Sequence, residues 1–451
     1  MEKEMISHLF VTPRKAVLLA LLAVTALTAT GRTWTYDECL SYAVKEGTTL
    51  RKAGLTRQTA TETRLASDAA LFPSLSFSTS QNVSNQPWKA NGSSTILNNE
   101  IQTVTSKTSY NGSYNLGANW TVWNGGRNYN QVKANRIAEE KAELDSITAA
   151  LTLEELIAQY FAQILYSKEA VEVSRSILEA AKVNENRGIE MVRVGSMSKA
   201  DCSQLTSERA QREYELEQSI NNVRNYKRQL KALLQITDDD DFDITDTTPS
   251  DELALAPIPL MQDVYLAALE NRPEIKNAQK SIDNADIQMK LAKGQRMPTI
   301  TMNASVTTNN SSQSTNSWSD QIKTNFRAGG GVTVSVPIFD QRTARTAINK
   351  ANIQRQTALL DLKEKQSSLY STIENYWIEA TGNQSKFKAA KAATESSQVS
   401  YDLLSEQFAV GMKNIVELQA GMTRLLNARQ SELQAKYLTI YNIKMLELYK
   451  K

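Results

Sequence analysis

Residues 110–123 read YNGSYNLGANWTVW, and this stretch decides the fold. Its even positions, from Tyr110 to Val122, are aromatic, aliphatic or glycine, whereas its odd positions, from Asn111 to Thr121, are Asn, Ser, Gly and Thr. A period of two predicts a β-strand with one apolar and one polar face. The strand is long enough to cross a bilayer, which takes about 9–11 tilted residues. Membrane strands carry aromatic rings at the lipid headgroups. The candidates here are Tyr110, Tyr114, Trp120 and Trp123.

Three more stretches alternate in the same way, at about 74–83, 299–308 and 326–338. The polar segment 82–109 is predicted to be an exposed loop. One such run is usually part of a soluble sheet, but four runs in two pairs favour a membrane sheet. Four strands cannot close a barrel, and open edges are not tolerated in hydrocarbon. The barrel must therefore be shared, with eight strands from two copies or twelve from three.

Composition limits the possible functions. The 451 residues include 51 Lys and Arg against 49 Asp and Glu, and this balance does not indicate a nucleic acid partner. We interpret residues 1–30 as a signal peptide, because Arg14 and Lys15 precede a short apolar run. The single histidine, His8, lies in that segment, so the mature chain would lack histidine bases and most zinc sites. We expect no enzyme, no cofactor and no bound metal. Cys39 and Cys202 are interpreted as packed side chains.

The remaining pattern is mostly helical. Residues 36–71 form one helical region that ends at the Phe-Pro of 72–73. Apolar residues recur every seven positions at 157, 164, 171 and 178, and no proline interrupts 127–193. This spacing predicts coiled-coil packing, in a helix that reaches roughly 100 Å. A turn at 194–196 separates it from a second helix that ends near 235.

The chain also repeats itself. The Phe-Pro-Ser of 72–74 recurs as Met-Pro-Thr at 297–299, and the Val-Gly of 194–195 recurs at 410–411. Each half reads helix, strand, strand, long helix, turn, helix. We predict a first repeat over 31–235 and a second over 261–451.

An acidic and proline-containing segment over 236–260 separates the two repeats. It contains the run Asp238–Asp241 together with Asp243, and it is predicted to be a solvated linker near the equator of the molecule.

Three motifs carry a family resemblance. They are YLAALENRPEI at 265–275, PIFD at 337–340 and FAVG at 408–411, with a proline before each strand pair. In this order, and with the duplication, the chain resembles the outer-membrane efflux protein family, the TolC-like ducts, over about 34–451.

The resemblance implies a mainly α fold with a membrane β-barrel. In the family, three chains share a twelve-stranded outer-membrane barrel, which a long periplasmic α-helical barrel continues. It implies a homotrimer in the cell outer membrane, surrounded by outer-membrane lipid, that serves as the exit duct of a tripartite efflux or type I secretion system. The implied partners are a periplasmic adaptor (membrane fusion protein) and an inner-membrane pump of RND, ABC or MFS type. Small molecules and proteins are both open as cargo.

The resemblance also implies a gate near the two turns. In the family, an acidic residue six beyond the first turn glycine pairs with a basic residue two beyond the second, and Asp201 and Lys413 occupy these positions. Glu417 matches a member of an acidic ring, and three copies would bind multivalent cations. Phe408 replaces a family tyrosine, so it can pack but cannot donate a hydroxyl hydrogen bond. Without the resemblance, Asp201, Lys413 and Glu417 would be interpreted as solvated helix residues.

The two turns themselves resemble the adaptor-docking tips of the family. Their residues are Val194, Gly195 and Ser196 in the first turn, and Val410, Gly411 and Met412 in the second. Glycine suits a tight helix reversal, so a purely structural role is equally open. Phe339, which follows the last strand, joins the predicted membrane-interface aromatic residues.

The competing class is an exported structural or adhesive coiled-coil protein without a channel. It explains the helices and the signal peptide. It does not explain paired amphipathic strands or two halves of matched length, so we favour the duct.

Overall fold

The structure, a computed structural model, describes residues 33–88, 93–97, 100–104, 106–237, 242–245 and 249–451. The predicted signal peptide and the run Asp238–Asp241 lie outside the described residues. The helices are α1 (Tyr36–Glu46), α2 (Thr48–Ala69), α3 (Arg127–Arg193), α4 (Lys199–Leu234), α5 (Asp251–Ala254), α6 (Met261–Asn271), α7 (Pro273–Gly294), α8 (Trp318–Thr324), α9 (Thr343–Ala409) and α10 (Ile415–Lys450). The strands are β1 (Thr33–Trp34), β2 (Ser74–Asn85), β3 (Ser93–Leu97), β4 (Glu100–Val104), β5 (Thr108–Asn124), β6 (Asp243–Ile244), β7 (Thr299–Ser311) and β8 (Arg327–Ser335).

The two halves of the chain match element by element. Helices α1 and α2 recur as α6 and α7, at positions 225 residues further along the chain. The long helices α3 and α9 each have 67 residues, and α4 and α10 each have 36. The predicted mainly helical, duplicated fold class is therefore confirmed.

Both halves break the helical region that precedes the strands. Gly47 separates α1 from α2, and Arg272 separates α6 from α7. At each break the backbone is extended, with ψ of 120° at Gly47 and 128° at Arg272. Pro273 favours an extended residue before it, which explains the second break. The sequence interpretation of 36–71 as one helical region missed the first.

The connections between paired strands contain structure that the sequence pattern did not predict. Segment 82–109 holds the β3–β4 hairpin, so its interpretation as a plain loop was wrong. In the second half, α8 follows β7. Its residue Gln321 is buried, and the side-chain Oε1 accepts a hydrogen bond from the Ser311 backbone N–H at 2.7 Å. Helix α8 thus satisfies the end of β7 that β8 does not reach.

The main sheet is antiparallel, with strand order β2-β5-β7-β8. Its register places Phe77 opposite Leu116, and Leu116 opposite Val306, so apolar residues share one face across three strands. Ser78, Asn115 and Thr307 face each other on the opposite side in the same way. Several apolar side chains are exposed, including Leu75, Phe77, Val332 and Val334.

A bulge alters the alternation near the end of β5. The pairing skips Val122, so that Trp120 lies opposite Met302 and Trp123 lies opposite Ile300. The extra residue places Trp123 on the same face as Trp120, which strict alternation would not do.

The chain divides into two compact units. The first comprises the described residues of Met1–Gly47, Leu153–Ile258 and Ile378–Lys444, and the second comprises Thr48–Thr152, Pro259–Trp377 and Met445–Lys451. The first unit holds the turns between the long helices, and the second holds the main sheet. No helix among the described residues is long and apolar enough to cross a bilayer.

The segment predicted to be a solvated linker is anchored on helices of the first unit where the structure describes it. Strand β6 pairs in parallel with β1, and Asp243 forms ion pairs with Lys168 at 2.7 Å and Lys227 at 2.8 Å. Ala254 is fully buried, and Gln384 Nε2 donates a hydrogen bond to its carbonyl oxygen. In its described part, partners distant in sequence therefore hold the segment, and local composition does not indicate them.

Candidate functional site

The two helical turns lie side by side because four helix ends share one core. This tip core contains Leu205 from α4, Phe408 from α9, and Leu418 and Met422 from α10, each no more than 3% exposed. Ile177 and Ala181 of α3 also belong to it, and the remaining buried members are Tyr401, Ile415, Leu425 and Leu426. Burial of such side chains contributes roughly 1.5–3 kcal/mol each, so this core is what brings residues near 195 and near 411 together.

Each long helix ends in a Schellman motif. The Gly195 N–H donates to the Val192 carbonyl, and the Ser196 N–H donates to the Met191 carbonyl at 2.8 Å. The Gly411 and Met412 amides make the equivalent bonds to Phe408 and Gln407. Gly195 and Gly411 have φ of +78° and +75°, and a Cβ at either would meet nothing within 4 Å. The glycines are needed for their left-handed backbone rather than for close packing.

The helix that follows each turn begins with a capping arrangement. Asp201 N–H donates to Ser198 Oγ at 3.1 Å, and that hydroxyl donates to Asp201 Oδ2 at 2.7 Å. In the second turn, Glu417 N–H donates to Asn414 Oδ1 at 2.9 Å, and Asn414 N–H donates to Glu417 Oε2 at 3.3 Å. Both acids thus stabilise a helix N-terminus. The Ser-x-x-Asp and Asn-x-x-Glu spacings signal this role, which the sequence analysis did not use.

A recess of about 460 Å³ lies between the turns. Asp201, Lys413 and Phe408 all line it, so the structure brings three of the four predicted gate residues to one place. Within the described chain, Lys413 Nζ lies 2.7 Å from Glu417 Oε1 and does not reach Asp201. The hydrogen bond from Lys413, followed by that from the Asn414 amide, lowers the pKa of Glu417.

Phe408 is 1% exposed and packs within the tip core. A hydrogen bond that involves a tyrosine hydroxyl joins the long helices α3 and α9, two turns before Phe408 on α9. There, Asn184 Nδ2 of α3 donates to Tyr401 Oη at 3.0 Å, and both residues are buried. The sequence analysis did not single out this pair, because nothing local in the chain links residues 217 apart.

Helices α4 and α10 are joined by a buried arginine. Arg212 is 6% exposed, and its guanidinium lies 2.6 Å from Glu208 and 2.8 Å from Glu215. Its Nη2 also donates to Thr423 Oγ1 at 3.1 Å. The charge is compensated on its own helix, and the remaining donor reaches the neighbouring helix.

The outer surface of the turns is apolar. Val194, Val410 and Met412 are exposed by 71%, 71% and 73%. Each turn thus places an exposed valine directly before its glycine.

The predicted membrane-interface aromatic residues lie on or beside the main sheet. Tyr110, Trp120, Trp123 and Phe339 are exposed, and Tyr114 is half-buried. Trp120 Nε1 donates to the Leu71 carbonyl at 2.8 Å, and so holds the junction between α2 and β2.

The fold thus combines an antiparallel sheet that has one apolar and one polar face with two pairs of very long helices. CusC, a transmembrane channel of known structure, superimposes with a TM-score of 0.78 at 17% identity, covering 92% of this chain and 91% of its own. This similarity shows the fold.

The sequence profile of the family described as "Outer membrane efflux protein" matches residues 40–237 and 264–446, and the chain belongs to this family. It is 22% identical over 374 residues to "Toxin and drug export protein A" of Aggregatibacter actinomycetemcomitans, covering 82% of this chain and 76% of the relative. It is 23% identical over 359 residues to "Outer membrane protein TolC" of Escherichia coli strain K12, covering 72% of each chain. The protein is an efflux channel of the outer membrane, with its long helices in the periplasm.

Proposed function

We propose that three copies of this chain form the exit duct of a tripartite efflux or type I secretion system. The observation that carries the proposal is the main sheet, which has four strands, an exposed apolar face and two outer strands, β2 and β8, with one sheet neighbour each among the described residues. Such edges need partners in hydrocarbon, and three copies supply a closed barrel of twelve strands. An exported coiled coil without a channel offers no account of this sheet.

The duct receives cargo from a periplasmic adaptor and an inner-membrane pump of RND, ABC or MFS type. The exposed residues Val194, Val410 and Met412 support adaptor docking at the turns, with Gly195, Ser196 and Gly411 shaping the same surface. Small molecules and proteins both suit a bore lined by the polar face of the sheet, and the relative named as a toxin and drug export protein is consistent with either.

The recess between the turns acts as the gate in this proposal. Lys413 lines the same recess as Asp201 and pairs with Glu417, so its ammonium group keeps a positive charge between two acidic residues. Replacing Lys413 by Glu would leave three clustered carboxylates, whose repulsion separates the turns. Phe408 contributes by packing, and the Asn184–Tyr401 hydrogen bond supplies the polar link that Phe408 cannot make.

The duct is tested by native mass spectrometry and single-channel recording of the purified protein in planar bilayers. We expect trimers with a stable conductance, and a larger conductance for Lys413→Glu than for wild type. The ratio of the two conductances should return towards one at high salt, because salt screens the charges. Lys386→Glu is the matched control, since Lys386 is exposed and forms no ion pair among the described residues. A monomer without conductance refutes the duct, whereas equal conductance of the two variants refutes only the gate.

The acidic ring is tested separately with a trivalent cation. Because Lys413 pairs with Glu417, three copies form a ring that is partly neutralised, and we expect weak block in the wild type. Lys413→Gln should strengthen the block and Glu417→Gln should abolish it. Equal block in all three proteins removes Glu417 from the constriction.

A further inference from the structure

Nine basic side chains lie on or next to the helix ends that adjoin the main sheet. This basic collar consists of Arg127, Lys133, Arg136, Lys290, Lys293, Arg296, Arg342, Arg345 and Lys350. Eight of them are exposed, and Arg127 is half-buried. None forms an ion pair within the described part of the chain.

Three acids close to the collar are already engaged. Asp68 pairs with Arg64 at 2.9 Å, and Asp286 pairs with Arg355 at 2.6 Å. Asp340 accepts hydrogen bonds from the backbone N–H groups that begin α9, including that of Ala344 at 2.8 Å. The collar of a second or third copy cannot neutralise this one, because each copy carries the same cations there.

Helix packing gathers the collar at one end of the sheet. The last residues of α7 touch the first of α3, since a Cβ at Gly294 would lie 2.8 Å from the Arg127 side chain. Helix α9 is tied to α7 by the pair Arg355–Asp286. The last residue of β5, Asn124, lies opposite the first of β7, Thr299, so these helices meet the same sheet end.

Exposed apolar residues border the collar on the side of the sheet. Phe72, Met297, Ile338 and Phe339 are between 52% and 95% exposed. Lys133 Nζ lies 4.8 Å from the centroid of the exposed Tyr129 ring, so a cation and an aromatic residue share one face of α3.

The other end of the sheet lacks this charge. The segments at that end contain three described cations and two described acids, which are Lys107, Lys323 and Arg327, and Glu100 and Asp320. Cations therefore concentrate where the sheet meets the long helices, beside the leaflet that borders the periplasm.

We propose that the basic collar binds the phosphate groups of anionic phospholipids in that leaflet and so sets the depth of the protein in the membrane. Charge complementarity and continuity with the membrane-facing apolar surface support this occupant, since Lys and Arg next to a bilayer attract anionic headgroups. The inference requires the outer-membrane location but not a working gate or a docked adaptor.

The test uses purified full-length protein in a neutral detergent. Bound lipid is counted by native mass spectrometry after titration with phosphatidylglycerol or phosphatidylcholine. We expect selective retention of phosphatidylglycerol, and roughly 100-fold weaker binding in Lys290→Gln/Lys293→Gln/Arg345→Gln. The control Arg228→Gln/Lys386→Gln/Lys388→Gln removes three exposed cations elsewhere and should leave binding unchanged. The charge-conserving variant Lys290→Arg/Lys293→Arg/Arg345→Lys should preserve binding.

Equal retention of the two lipids, or equal losses in the collar and control variants, overturns the proposal. Displacement of the lipid by inorganic phosphate at millimolar concentration also overturns it, because it would show a general anion site. The proposal is also overturned if the collar variant loses binding to purified cell-wall glycan but keeps its binding to phosphatidylglycerol. Single-channel conductance of the collar variant should equal that of the wild type, so failure of this inference is distinguishable from failure of the duct.

Discussion

The turn glycines permit a local test of the tip architecture. Gly195 has φ of +78° with open space where a Cβ would lie, so Gly195→Ala introduces backbone strain and no clash. An alanine in the left-handed region costs about 1–2 kcal/mol. The cost falls on the Schellman bonds to Met191 and Val192, whose opening should become about 5- to 30-fold more frequent. Hydrogen–deuterium exchange of the Gly195 and Ser196 region, corrected for intrinsic rates, measures this increase.

A matched control is available in α9. Gly382 is helical, and a Cβ there also meets nothing within 4 Å, so Gly382→Ala should slow local exchange because alanine favours helix by about 1 kcal/mol. Gly195→Asn should fall between wild type and Gly195→Ala, since asparagine tolerates the left-handed region. Unchanged exchange in Gly195→Ala, without any adaptor present, would refute the backbone explanation and leave docking as the reason for glycine.

Three further outcomes are expected. Tyr401→Phe should destabilise the tip core by about 1–3 kcal/mol, because the buried Asn184 amide loses its acceptor. Urea unfolding measures this loss, and Tyr214→Phe at an exposed tyrosine is the control. Equal urea midpoints for the two variants would contradict the argument. Trp120→Phe should destabilise the protein by about 1 kcal/mol, because the hydrogen bond to the Leu71 carbonyl is lost, whereas Trp123→Phe should not. The temperature at which the oligomer dissociates measures the difference. Hydrogen bonds from Lys391 and Lys436 lower the pKa of Asp251. The contribution of this carboxylate to the free energy of unfolding is therefore present above about pH 3.9 and is lost as the pH falls through the lowered pKa. The melting temperatures of wild type and Asp251→Asn should converge on acidification, and a constant difference would rule the pair out.

The parts of the fold that could be predicted from the sequence are those that depend on local sequence patterns. Alternation over 110–123 and the absence of proline over 127–193 depend on residues near in sequence, and β5 and α3 formed there. The β3–β4 hairpin and α8 were missed because their segments carry no clear period. At the site, the positions of Asp201 and Lys413 followed from the family resemblance, but the pairing of Lys413 with Glu417 did not. That choice depends on the capped first turn of α10, where the two side chains are four residues apart on one face.

The sequence alone determined the two repeats, the equal lengths of their long helices and the two-faced strands, because periodicity and spacing act along the chain. Only the tertiary structure decided which residues meet across it. It joined Asn184 to Tyr401, set the two turns around Phe408, and gathered nine cations at one end of the sheet. The physical reason is that burial and charge compensation depend on neighbours in space, and residues some 200 positions apart become neighbours only when the helices pack.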